Sequence, residues 1–496
     1  MRQIFSILLF TLMSATIALA QDISPELLQK AQNGDAQAQF EVGRLYGNAK
    51  DYTKAVEWFR KSAEQGNASG QNGLGVCYDF GRGVSQDYAK AVEWYQKAAI
   101  KGNARAQKNL GLCYRDGRGV PQDYAKAFEW WSKAANQGDA EAQFGVGLCY
   151  EKGRGVIQDY TKAAEWYSKA AGQGDASAQN NLAVCYEKGH GVPQDYAKAF
   201  EWYQKSANQG NANAQYGLGL CYEKGRGVPQ DYSKAVEWYH KAAEQGQAWG
   251  QINLGYSYHI GRGVSQDYSK AAEWFLKAAE QNMAAGQEWL GFCYEKGFGV
   301  PQDYAKTAEW YRKAAEQGSA SAQNNLGLCY ELGHGVPQDY VKAAEWYRKS
   351  ADKGDARAQR RLGDCYKYGH GVSKDETKAA EWYRKAENHN DENSQINLSI
   401  TYYEVGEQQF MEENYSEAFN NLKAAAESQI NPIPQAMTLL AGCYEYGYGT
   451  TADLDKARYW REQAAKFDDE AAKRALTPIS DIALGAESDN IPGPGN

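Results

Sequence analysis

The chain reads as an all-α solenoid of about twelve helix-turn-helix repeats with a 36-residue period, and three columns predict it. Tryptophan recurs at Trp58, Trp94, Trp130, Trp166, Trp202, Trp238, Trp274, Trp310, Trp346 and Trp382. Cysteine holds the same spacing at Cys77, Cys113, Cys149, Cys185, Cys221, Cys293, Cys329 and Cys365, with Ser257 in the one gap. A Gly-x-Gly-Val turn recurs between two helical stretches. A fixed period of this size means units too small to bury an apolar face alone, which must stack on their neighbours. Repetition therefore overrides the roughly three globular domains that length alone suggests.

Residues 1–20 combine Arg2, a mostly apolar run from Ile4 to Met13, and Ala18-Leu19-Ala20 before Gln21. This pattern is that of a secretory signal peptide. No later stretch approaches the roughly 20 apolar residues that cross a bilayer, and no cysteine follows the cleavage signal to carry a lipid. A periplasmic or secreted protein without membrane insertion is expected. Residues 21–34 form a lead-in helix, 35–390 ten repeats, 391–431 a divergent repeat, and 432–476 a terminal repeat with a capping helix from Asp468. Residues 477–496, rich in Gly, Pro, Asp and Ser, read as a disordered tail.

Within the unit from Asp139 to Gly174, Asp139 is a natural N-cap, and Ala142, Val146, Cys149 and Tyr150 follow at helical spacing. Gly153-Arg154-Gly155-Val156 supplies a left-handed cap and turn. Asp159 caps a second helix whose Ala163, Trp166, Tyr167 and Ala170 share a packing face, and Gly174 stops it. Glu165 and Lys169, like nine equivalent pairs from Glu57 and Lys61 to Glu381 and Lys385, read as a solvated face of helical ion pairs. Repeat eleven differs: its first helix runs on through Glu407 and Phe410, and it lacks the Trp.

Ala106, Gln107, Leu110, Gly111 and Tyr114, followed by Ala127 and Ala134, fit the tetratricopeptide scheme, and the period with its GRGVPQDY loop extends the likeness. These residues resemble the Sel-one-like repeat family from about residue 36 to 475. The resemblance implies a right-handed α/α superhelix of paired antiparallel helices that acts as an adaptor or scaffold for other proteins.

Composition excludes several classes of function. Removal of Arg2 with the signal leaves 53 basic against 62 acidic residues, so nucleic acid and anionic lipid are poor partners. One cysteine per repeat finds no partner in its own hairpin, and successive repeats lie roughly 10 Å apart, beyond the 6.8 Å or so that a disulfide allows between Cα atoms. The column reads as small buried apolar side chains. His190, His334 and His370 take the place that Arg holds in other loops; even successive loops lie roughly 10 Å apart, too far to share a metal with bonds of about 2 Å, and the histidines read as a basic loop edge. No catalytic, cofactor or metal site is expected.

The alternative is a peptidoglycan- or β-lactam-interacting protein. Cysteine-rich members of the family are linked to penicillin binding, Ser350-Ala351-Asp352-Lys353 matches S-x-x-K, and Ser488-Asp489-Asn490 matches S-D-N. Their settings argue against it, because Ser350 lies where a second helix ends and K-T-G is absent. Those relatives also carry a cysteine pair within each repeat, at positions that hold Ala135 and Gln143 here. A purely structural spacer is a third reading.

Recognition of a protein or peptide is the better expectation. If tetratricopeptide geometry carries over, the residue three before the glycine of G-x-x-Y points into the groove. It varies through Lys108, Phe144, Asn180, Tyr216, Ile252, Glu288, Asn324 and Arg360 while its neighbours repeat. Repeats seven and eight vary most, with Trp249, Ile252, Tyr256, His259 and Ile260 in one and Glu288, Trp289 and Phe292 in the next. The candidate protein-binding residues are thus Phe144, Tyr216, Trp249, Ile252, Tyr256, His259, Glu288, Trp289, Phe292 and Arg360.

Overall fold

Most first helices begin on a residue that accepts a hydrogen bond from the third residue beyond it, Met283 and Ile433 being exceptions. Asp35 takes the Ala38 N–H at 2.6 Å, Asp139 takes that of Ala142 at 2.9 Å, and even Gln247 takes that of Gly250 at 2.5 Å. Second helices start on an aspartate in the same way, as Asp87 does for Lys90 at 3.0 Å. First helices end on a left-handed glycine such as Gly153, at φ 65°.

The computed structural model describes residues 23–387 and 392–467. The expected signal peptide, capping helix and tail lie outside the described residues. All regular elements among them are helices, from Pro25–Gln32 and the first hairpin Ala36–Asn48 with Tyr52–Glu64 to the last, Pro434–Tyr446 with Leu454–Lys466. The chain divides into two compact bodies, Met1–Ala242 and Ala243–Asn496. In each body, helix packs against the next helix in chain order, the ordered stacking of a solenoid. Repeat eleven has the long first helix expected, Glu392–Met411.

The core corrects the reading of the tryptophan column. The residue after each Trp is the enclosed one: Tyr95, Tyr167, Tyr239 and Tyr311 are at most 1% exposed, whereas Trp166 and its equivalents are half-buried. Each enclosed ring lies on the glycine of the Leu-Gly step, and a Cβ on Gly147 would come within 2.6 Å of Tyr167. Where Ala183 replaces that glycine, Tyr203 lies against Gly217 of the following repeat, where a Cβ would come within 2.6 Å of its ring. The Trp closes the side of the preceding core, as Trp202 does against the cluster of Tyr167, Leu182 and Cys185.

The expected Glu–Lys faces also resolve differently. The pair closes at Glu129–Lys133 and Glu309–Lys313, but in all ten repeats the lysine ammonium lies over the Trp three residues earlier, at 3.9 Å for Lys169 on Trp166. The half-exposed indole thus carries a cation on its open face.

Two further devices join one repeat to the next. A glutamine on each first helix is buried: Gln107 donates to the Ala99 carbonyl of the preceding repeat at 3.0 Å and accepts from Gln137 of its own second helix at 2.7 Å. Lysine takes the Gln137 position at Lys101 and Lys353, where it reaches the Gly66 and Gly318 carbonyls, and the enclosed Oε1 atoms of Gln71 and Gln323 are left without a hydrogen bond. The second device is the second glycine of the loop. Gly155, at φ 74°, lies so close to the preceding repeat that a Cβ would come within 2.2 Å of the Tyr124 carbonyl oxygen. The residue between the two glycines then stacks on that tyrosine: Arg154 lies 5.3 Å from the Tyr124 ring, His334 4.2 Å from Tyr304 and Phe298 4.6 Å from Tyr268. Planarity selects this residue as much as charge does, which refines the expected basic edge. Arg226 does also meet an acid, Glu187, at 3.1 Å.

The nine cysteines are buried free thiols, and burial pushes them up to about 11 at Cys77 and about 12 at Cys293.

Three outcomes follow. Lys353→Gln gives Gln323 its missing donor and raises stability by about 1 kcal/mol, read as a higher urea midpoint, while an unchanged midpoint discounts the ladder. Gly174→Ala meets nothing within 4 Å and costs only the left-handed strain of roughly 1–2 kcal/mol, whereas Gly155→Ala costs clearly more. Equal losses would remove the approach to Tyr124 as a stacking constraint. At pH 8 the thiols stay almost wholly protonated, so iodoacetamide labels them slowly in the native protein and rapidly in guanidinium; fast native labelling contradicts their burial.

Candidate functional site

In the regular repeats, the enclosed tyrosine donates its hydroxyl to an acid near the end of the first helix. Tyr167 donates to Glu151, Tyr203 to Glu187 and Tyr311 to Glu295 at 2.5, 2.8 and 2.7 Å. Repeat seven replaces both partners together: Phe275 lacks the hydroxyl and His259 stands where the acid belongs. Phe275 then stacks flat on Trp289, 5.3 Å away at 10°.

Losing that polar pair lets aromatic side chains gather. His259 lies within 5.3–5.9 Å of Tyr268, Trp289, Phe292 and Phe298, and Tyr256 is 5.4 Å from Trp289. Gln266 fixes one wall by donating to the His259 carbonyl at 2.8 Å and to the Tyr268 hydroxyl at 2.9 Å. Between His259, Tyr268, Phe292, Lys296 and Phe298 a cleft of about 270 Å³ remains. His259 Nδ1 is enclosed without a hydrogen-bond partner, and burial holds the imidazole below its ordinary pKa, so it is neutral at pH 7. Such a cleft suits an aromatic side chain that carries one hydrogen-bonding group for the imidazole, as a phenol or an indole does.

The structure divides the sequence-based candidates. It brings Tyr256, His259, Trp289 and Phe292 together. Ile252 and Trp289, 0% and 5% exposed, build the core behind the cleft, and Phe292, 8% exposed, joins that core while forming part of the cleft wall. For Ile252 the groove-facing expectation fails, because the side chain joins the core of Phe275 and Leu290. Trp249 is half-buried at the edge of that core. Glu288 accepts from the Ser319 hydroxyl at 2.8 Å, and its burial raises its pKa. Arg360 lies 3.8 Å from Asp364, away from the aromatic group. Phe144 and Tyr216 belong to the first body, where their rings rest on Tyr167 and Tyr239 at 5.8 and 5.9 Å. Tyr268, Phe275, Lys296 and Phe298 escaped the sequence reading. Phe275 and Phe298 break their columns and were detectable, whereas Tyr268 looks like every other loop tyrosine.

The S-x-x-K match has a structural role. Ser350 is buried and donates to the Ala320 carbonyl at 2.7 Å, as Ser62 and Ser206 donate to Ala36 and Ala176 at 2.6 Å, while Lys353 Nζ is 2.6 Å from the Gly318 carbonyl. Ser488-Asp489-Asn490 lies outside the described residues. No helix among the described residues is long and apolar enough to cross a membrane.

The Sel1 repeat model matches residues 36–67, 68–103, 104–139, 140–175, 176–211, 212–247, 250–283, 284–319, 320–355, 356–391, 393–429 and 434–466. The crystal structure of c5321, a protective antigen present in uropathogenic Escherichia coli strains and displaying an SLR fold, is 38% identical, with 93% of this chain and 91% of that chain covered and a TM-score of 0.64. A Sel1 repeat protein from Oxalobacter formigenes is 37% identical over 60% of this chain and 88% of its own, with a TM-score of 0.48. No curated protein matches the chain. Proteins built from this repeat are in general protein–protein interaction scaffolds. Twelve consecutive matches and a relative of this identity across nearly the whole length place the chain in the Sel1 repeat family.

Proposed function

We propose that the protein is an exported, non-enzymatic scaffold that captures a protein or peptide partner along its first helices, with the cleft between repeats seven and eight as an anchor. The observation that carries this reading is the joint replacement of a tyrosine–acid pair by Phe275 and His259, which opens an aromatic cleft holding an unpartnered imidazole nitrogen. Core packing alone does not call for that exchange, since the regular pair closes the same space in repeat eight, where Tyr311 bonds Glu295. The partner inserts an aromatic side chain against Tyr268 and Phe298, and the exposed edge of Tyr256 extends the contact. A rigid stack leaves most of the ordering cost with the ligand. Export rests on residues 1–20 and is supported by the likeness to an antigen of uropathogenic strains.

The test restores the regular repeat. His259→Glu with Phe275→Tyr rebuilds the polar pair found in the neighbouring repeats, so the fold is kept while the cleft loses its character. Wild-type mature protein and this variant are used to capture partners from envelope and host extracts. Capture that falls by about tenfold or more at unchanged helicity supports the anchor, and equal capture by both proteins rejects it.

A further inference from the structure

A second cleft, of about 240 Å³, lies in the first body across the first helices of repeats one to three. Phe40 and Phe59 form its apolar wall, and Gly73 leaves its floor open. Arg44, Arg82 and Arg105 line it, and no aspartate or glutamate does. In a chain of net charge −8, three guanidinium groups around one concave apolar surface run against the overall balance. Arg44 shares a 2.7 Å ion pair with Glu41, which lies outside the lining. Arg82 lies over the rings of Tyr52 and Phe80, at 5.5 and 4.9 Å, which orient its charge without neutralising it. Arg105 is exposed to solvent.

We infer that this cleft binds an extended acidic segment of a protein partner, with an aromatic or aliphatic side chain seated on Phe40 and Phe59 and flanking carboxylates on the three arginines. Guanidinium groups suit carboxylates because their fork donates two parallel hydrogen bonds, and low-dielectric walls focus their combined field on the cleft. The volume admits the side chains of a segment and excludes a folded domain. The inference rests on the scaffold reading and narrows it to one chemistry at one place.

The register of the repeats supplies variants that the fold already accommodates. Position 105 is Glu141 one repeat later, and position 69, at the rim of the cleft, is Trp249 in repeat seven. Full-length mature protein is titrated into a fluorescein-labelled heptapeptide, Asp-Glu-Phe-Asp-Glu-Leu-Asp, and into its neutral counterpart, Asn-Gln-Phe-Asn-Gln-Leu-Asn. Saturable binding of the acidic peptide is expected, weakening as salt rises and about tenfold or more tighter than for the neutral peptide. Arg105→Glu and Ser69→Trp, each with native helicity, are each expected to lower the affinity by about fivefold or more. Absence of saturable binding, equal affinity for the two peptides, or affinity unchanged in both variants overturns the inference. Because partner capture through His259 is measured with different variants, those results leave the scaffold reading standing, and only joint failure of both experiments removes it.

Discussion

The stack depends on a buried amide that a single hairpin cannot satisfy. Gln107 has its donor committed to a carbonyl of the preceding repeat and its acceptor to a residue of its own second helix, so three helices meet at one side chain. A buried amide without partners costs about 1–3 kcal/mol, comparable to what a modest apolar contact returns. A hairpin removed from the array exposes this group together with one side of its aromatic core, so repeats form by joining neighbours. The glycine against the Tyr124 carbonyl and the planar residue on the Tyr124 ring fix the distance and angle of each joint.

Against that regularity, departures acquire meaning because most columns are under packing constraint. The tyrosine hydroxyl and its acid are a matched pair, and where repeat ten replaces the acid alone, by Lys367, Tyr383 donates to Asp364 instead. Repeat seven loses both, a change that satisfies the core and gives up polarity in the same step. The consequence is local: Trp289 and Phe292 fill the interior, His259 becomes a neutral imidazole among rings, and a cleft opens beside it.

Much of this was legible before any coordinates. The period, the capping residues, the left-handed glycines and the long first helix of repeat eleven follow from local backbone chemistry, which a sequence displays directly. The roles of the aromatic columns did not follow, because adjacent residues such as Trp166 and Tyr167 differ by about 100° around a helix and only the position of the next repeat decides which one is enclosed. The same ambiguity placed Ile252 in a groove when it lies in the core. Repeats seven and eight stood out by composition, yet Tyr268 could not, since its column is unbroken and only its neighbours changed. The glutamine ladder is hidden for a similar reason: a repeated Gln shows no partner until a carbonyl from another repeat is placed beside it.

An array of near-identical hairpins offers a partner the same surface many times, which provides area without discrimination. Discrimination requires sites where the repeat is broken, and here the two clefts break it by different means. The cleft of repeats seven and eight is made by enlarging side chains around a removed polar pair. The cleft of repeats one to three keeps small residues found elsewhere at these registers, Ser69 like Ser177 and Ser321 and Gly73 like Gly145 and Gly217, and is set apart by its rim of arginines. Each cleft would thus select for its own complementary chemistry, apolar at the one and acidic at the other.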